Sequence, residues 1–191
     1  MSTTIKTSEY LDEMKAGFEQ AINKVKSLVG SVDSEMLNQP EAPGKWSMLQ
    51  CIEHMSLASQ LYNENITAKL NNGQLQPAKA TYKGHWKGRI FAKMNAPKPD
   101  GEIPMKLKTF KFMEPPVTLD GEQVINQFYS VHQTMIALID ESRAVNIDRV
   151  KVATALGNMV KLRLGEAYRF LLAHTQRHVV QLERIKNTVN A

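Results

Sequence analysis

His174 and His178 stand one helical turn apart in "RFLLAHTQRHVVQLERI" (residues 169–185), a stretch otherwise apolar and basic. On a helix, residues at i and i+4 project from one face with β-carbons about 5–6 Å apart, so two imidazoles there can converge on one ion. The same spacing underlies the paired histidines of an H-E-x-x-H zinc helix. Thr175 follows His174 where that motif has its glutamate, so the general base of a zinc peptidase is missing. Burying two adjacent imidazoles without partners costs about 1–3 kcal/mol each. They therefore bind a ligand or are satisfied by backbone carbonyls, carboxylates or water. A third nitrogen from another helix, His54, would complete three donors around a divalent ion. Such a set leaves positions for water or substrate, as in a catalytic rather than a structural site. Three histidines suit zinc, nickel, iron or cobalt, and spacing alone leaves the core-histidine alternative open.

Four helices must position these side chains. Residues 8–29 place Leu11, Met14, Phe18, Ala21, Ile22, Val25, Leu28 and Val29 at three- and four-residue steps, with Gly30 where a helix would stop. The second helix starts at Met48, with Ser47 and Gln50 as a capping box and Trp46 and Cys51 at the positions of a hydrophobic staple. Its stripe runs through Cys51, Met55, Ala58, Tyr62 and Ile66, with His54 on the flank, and "NNG" at 71–73 ends it. From 74 to 117 periodicity fades and six of the eight prolines gather, which marks a long crossover with a short helix around "HWKGRIFAKM". The third helix lies in "LDGEQVINQFYSVHQTMIALIDES" (119–142), and residues 143–163 read as irregular. The last helix runs from Leu164 to Thr188 with Ala167, Leu171, His174, His178, Leu182 and Ile185 on one face. These patterns predict an all-α chain, a four-helix bundle formed by residues 1–191 as a single domain. The long crossover between helices 2 and 3 lets those two run parallel.

Composition narrows the function classes. Cys51 is the lone cysteine of the 191 residues, so no intramolecular disulfide forms. The start "MSTTIKTSEYLDEM" lacks the apolar core of a signal peptide, which predicts a cytoplasmic protein. No run approaches the roughly 18 apolar residues of a membrane span. The net charge of +5 favours anionic partners without choosing among them.

Two segments carry a resemblance. "LNQPEAPGKWSMLQCIEHM" resembles the DinB-like segment in which a Trp-Ser pair opens helix 2 and a histidine follows two turns later. "HTQRHVVQLERI" resembles that family's C-terminal H-x-x-x-H, often followed by glutamine. With the helical pattern and the long second crossover, the likeness spans nearly the whole chain. It implies an up-down-down-up four-helix bundle and a divalent metal, zinc or nickel, held by His54, His174 and His178. It also implies use of a low-molecular-weight thiol, as in S-transferases and isomerases of the family acting on small molecules, and frequent homodimers. The long basic crossover matches no particular enzyme branch.

The remaining candidates have plainer readings. His132 lies near the stripe of helix 3, as a core histidine or as a neighbour of the ligands, and Arg177 beside the pair suits a carboxylate or a substrate anion. Cys51 stands one turn from His54 but is explained by the staple, His85 reads as a loop residue, and Glu53 and Glu166 as surface or supporting carboxylates. The crossover carries Lys79, Lys83, Lys87, Arg89, Lys93, Lys98, Lys106, Lys108 and Lys111 among Tyr82, Trp86, Phe91, Phe110 and Phe112. A solvated loop ranks first for this charge, guidance of an anionic small-molecule substrate second. Nucleic acid ranks last, since no recognition motif accompanies it. The rival to an enzyme is a non-catalytic metal-binding bundle, a stress-related binding or dimerisation module.

Overall fold

The apolar spacings become helices packed around one core. A computed structural model of the protein describes residues 4–71, 74–98, 102 and 109–189. Lys106, Lys108, Pro99, Pro104 and the Asn72–Gly73 pair of the expected helix stop lie outside the described residues, as does the side chain of Lys87. In chain order the elements are β1 (Ile5–Lys6), α1 (Thr7–Val29), α2 (Met48–Leu70), β2 (Thr81–Tyr82), α3 (Trp86–Asn95), α4 (Gly121–Glu141), β3 (Lys151–Thr154), β4 (Gly157–Arg163) and α5 (Leu164–Val189).

The helix signals act as their chemistry requires. Ser47 Oγ accepts the Gln50 N–H at 3.2 Å while the Ser47 N–H donates to Gln50 Oε1 at 3.0 Å, satisfying donors that the first turn of α2 leaves without an intrahelical partner. Asp120 caps α4 by accepting from Gln123 N–H at 2.9 Å. Gly30 ends α1 in a right-handed conformation, φ −67°, so it is no left-handed cap.

The four long helices close into a ring in which α1 and α2 each pack on both α4 and α5. Lys15 pairs with Asp140 at 2.6 Å, Arg143 with Asp12 at 2.7 Å and Lys24 with Glu183 at 2.6 Å. Such solvent-facing pairs contribute about 1 kcal/mol or less. Stability comes instead from side chains such as Phe18, Phe128 and Leu171, all fully buried, at about 1.5–3 kcal/mol each. α3 lies on α5 close enough that a β-carbon at Gly88 would stand 2.4 Å from Glu166 Cγ.

The chain is mostly helical, as expected, with two short strand pairs that the all-α reading did not include. β1 pairs antiparallel with β2, Ile5 opposite Tyr82, and ties the crossover to the start of α1. β3 and β4 form an antiparallel hairpin with Val152 opposite Leu162, where residues 143–163 had read as irregular. Gly157 adopts φ +65°, a left-handed value that favours glycine at the turn. Val152 and Leu162 are buried in the core, and Asn65 of α2 donates to the Ala153 carbonyl at 3.3 Å. The hairpin is thus held against the bundle wall.

Candidate metal centre

His54 projects from α2 and His174 and His178 from α5, with ring centroids 5.2, 4.9 and 4.6 Å apart. One ring nitrogen of each lies within 4.8 Å of those of the other two, a cluster that could hold a metal ion. Hydrogen bonds set two of the tautomers. His54 Nδ1–H donates to the Met113 carbonyl at 3.0 Å, and His178 Nδ1–H donates to Gln181 Oε1 at 3.0 Å. In both rings Nε2 keeps its lone pair, the arrangement in which a supporting acceptor orients a ligand histidine. His174 Nδ1 is buried with no hydrogen-bond partner. A nitrogen left so inside a protein is costly unless something binds it, and the donor set therefore fits a divalent ion.

Electrostatics keeps the rings neutral. Burial lowers the pKa of all three, to about 3 for His178 and well below the usual imidazole value for His174, where His178, His54, Arg177 and His132 add their repulsion. For His54 the bond to Met113 partly opposes burial. At neutral pH all three nitrogens are available as lone-pair donors.

The cluster opens on a cavity of about 540 Å³. Its floor is α2 and α5, with Ala58, Tyr62 and Phe170 beside the histidines. The hairpin adds Thr154 to Leu156, Val160 and Leu162, and the crossover adds Phe91, Met94 and Asn95 from α3 together with Thr109, Phe110 and Met113. The loop after α1 closes the remaining side. Trp46 lies 4.9 Å from the His54 ring and 6.3 Å from His178, and Arg184 grips Glu41 through two hydrogen bonds of 2.7 Å. That bidentate pair fixes the loop to α5.

Each sequence candidate now has a place. Arg177 lines the cavity and is 9% exposed, with burial lowering its pKa. His132 is apart from the cavity lining, fully buried between α4 and α2. Its Nδ1–H donates to the Phe128 carbonyl at 2.8 Å and its Nε2 accepts from Ser59 Oγ at 3.3 Å, so both nitrogens are satisfied locally. Cys51 is fully buried in the core, where burial pushes its thiol pKa up, and Trp46 packs against that core. Glu166 is structural, accepting from the His85 and Arg163 backbone N–H groups at 2.6 and 3.0 Å where α3 meets α5. Glu53 is half-buried outside the cavity lining, and desolvation raises its pKa. His85 precedes α3 in the loop. Among the described residues the crossover brings mostly apolar side chains to the cavity, with Asn95 and Thr109, and none of its lysines.

Sequence reasoning missed the hairpin wall, the Glu41–Arg184 clamp and the orienting role of Gln181. The alternation Val160, Lys161, Leu162, Arg163 after Gly157 was a strand signal, and Gln181 stands three residues after His178, within reach on one helix face. No local signal marks the clamp, whose partners are 143 residues apart.

No curated protein matches the sequence. A solved structure does: YfiT from Bacillus subtilis, described as a probable metal-dependent hydrolase with an unusual four-helix bundle topology, aligns with a TM-score of 0.57. The alignment covers 93% of this chain and 86% of that chain at 13% identity, a likeness of fold alone. The sequence model of the DinB superfamily matches residues 17–182, from the middle of α1 past both histidines of α5, and on that match the chain belongs to the DinB superfamily.

Proposed function

We propose that this protein is a metal-dependent enzyme that uses a low-molecular-weight thiol on a small electrophile, by S-transfer or isomerisation, with His54, His174 and His178 holding one divalent ion, zinc or nickel. One observation carries the reading: three neutral imidazoles from two helices meet at a cavity large enough for a small molecule. When bound, the ion supplies Lewis acidity that brings the pKa of a thiol or a water toward neutrality. Among the described lining residues the one carboxylate, Glu41, is already engaged by Arg184, so a protein base is not at hand. A thiol, with a reference pKa of about 8.5 against about 15.7 for water, requires the smaller shift to ionise. That difference favours the thiol.

The chain's own residues do the positioning. The Met113 carbonyl and Gln181 hold two imidazole tautomers, Trp46 stacks by His178 and Phe170 by His174, and Arg177 offers its guanidinium to an anionic group of the thiol or electrophile. Hydrolysis is the second reading, favoured by the description of YfiT. A non-catalytic metal-binding module is the rival from another class.

The same reading takes residues 1–191 as one up-down-down-up domain. Lys24 meeting Glu183 and Lys15 meeting Asp140 support α1 running with α5 and against α4. It places the protein in the cytoplasm as a homodimer acting on small molecules rather than nucleic acid. No described helix is long and apolar enough to cross a membrane.

The test is the metal content of untagged protein purified without chelator, wild type and His174→Ala, followed by turnover assays with thiols and varied electrophiles. Near-stoichiometric zinc or nickel that vanishes in the variant, with thiol-dependent turnover, is expected. A wild type that refuses added ion sinks the metal site. A fully loaded protein that turns over ester or amide substrates and no thiol transfers the assignment to hydrolysis.

A further inference from the structure

The two ends of the cavity differ in chemistry. Along α5 the lining residues run Phe170, His174, Arg177, His178, Gln181 and Arg184, about 21 Å of helix from first to last. The Arg184 end holds Lys45 beside the Arg184–Glu41 pair, and Arg177 stands midway at the histidines, so the half away from Phe170 carries three cations to one acid. At the Phe170 end, Tyr62 lies 5.9 Å from the Phe170 ring, and α3 and the hairpin bring mostly apolar side chains. Two of these stand partly in solvent: Leu156 is 43% exposed and Phe91 37%. Large apolar groups held open around a polar cluster mark a surface that a ligand covers.

We propose that the ligand of this cavity is an amphipathic anion, with its acidic head beside His174 and Arg177 and an aliphatic or aryl tail between Phe170, Leu156 and Phe91. This deepens the metal-site reading and rests on it for the head group, while the tail compartment belongs to the protein alone. The hairpin then acts as a specificity element: its tip sets how long a tail fits, and the clamp loop bearing Lys45 closes the charged end.

The experiment is calorimetric titration with straight-chain alkanoates from acetate to decanoate, against both zinc-loaded and metal-free protein, with zinc uptake measured separately. Affinity should climb by up to about fourfold per methylene and level off once the compartment is full. Alkylammonium ions of equal length should bind about tenfold more weakly, repelled by the cationic end. Leu156→Asp, at a residue 43% exposed in the hairpin turn, should flatten the climb while leaving the shortest acid unchanged; Phe170→Ala should move the plateau to longer tails. Equal affinity along the series, or an unaltered climb in Leu156→Asp, overturns the tail compartment. Alkylammonium binding as tight as alkanoate overturns the anionic head. Failure of zinc uptake alone strikes the metal-site reading, and the climb in metal-free protein still decides the tail.

Discussion

His132 and His174 occupy equivalent-looking positions, each in the apolar stripe of a long helix and each facing α2, yet their surroundings have opposite outcomes. Around His132 every polar demand is met within the bundle, by the Phe128 carbonyl on one nitrogen and Ser59 on the other. Around His174 two further imidazoles approach instead, and its Nδ1 is left buried without a hydrogen bond. Both have depressed pKa values for the same leading cause, burial, so titration alone does not separate them. The partners do. A histidine with two local partners is a packing element, whereas one clustered with other histidines beside a cavity is poised for an exogenous ligand.

The largest effect expected from breaking this contrast is on metal affinity. His174→Ala should weaken zinc binding by roughly a thousandfold, well beyond the 10–100-fold typical of supporting residues, while His132→Gln keeps stoichiometric binding; competition against a chromophoric chelator measures both.

Acid stability is next. Histidines whose folded pKa is lowered leave the unfolded chain holding more protons, so their stabilisation is fully present above about pH 6.5 and is lost as pH falls toward the folded values, about 4 for His132 and about 3 for His178. Each contributes a slope of about 1 kcal/mol per pH unit in that window. Urea unfolding of metal-free protein between pH 7 and 5 should therefore steepen with acid, and His132→Gln should remove one histidine's share; a pH-independent midpoint would contradict the burial argument.

Two smaller substitutions form a mirrored pair. Gln181→Leu should lower zinc affinity by about 10–100-fold by releasing the His178 ring, with little change in stability. Ser59→Ala should do the reverse, costing about 1–2 kcal/mol by orphaning His132 Nε2, with zinc affinity unchanged. If both variants moved both quantities together, the two histidine environments would be one coupled network and the contrast would fail.

Much of this was legible beforehand. The stripes of α1, α2, α4 and α5, the Ser47–Gln50 box and the short helix at "HWKGRIFAKM" are local signals, readable because helix periodicity and capping involve residues a few positions apart. The hairpin was hidden because its outward residues, such as Met159 at 87% exposure, are not all polar, so alternation was blurred. Among the described residues the charges of the crossover stay off the cavity lining, as a solvated loop would keep them, while Phe91, Phe110 and Met113 line it.

By itself the sequence determined four amphipathic helices, the start of α2 and the pairing of His174 with His178 on one face, since i,i+4 geometry follows from helix pitch alone. Only the tertiary structure decided that His54 meets that pair and His132 does not. It also decided that a carbonyl 59 residues away orients His54 and that a hairpin and a crossover helix wall the cavity. Those are contacts between distant segments, set by how the helices pack and by which buried polar atoms find partners there, and no local spacing encodes them.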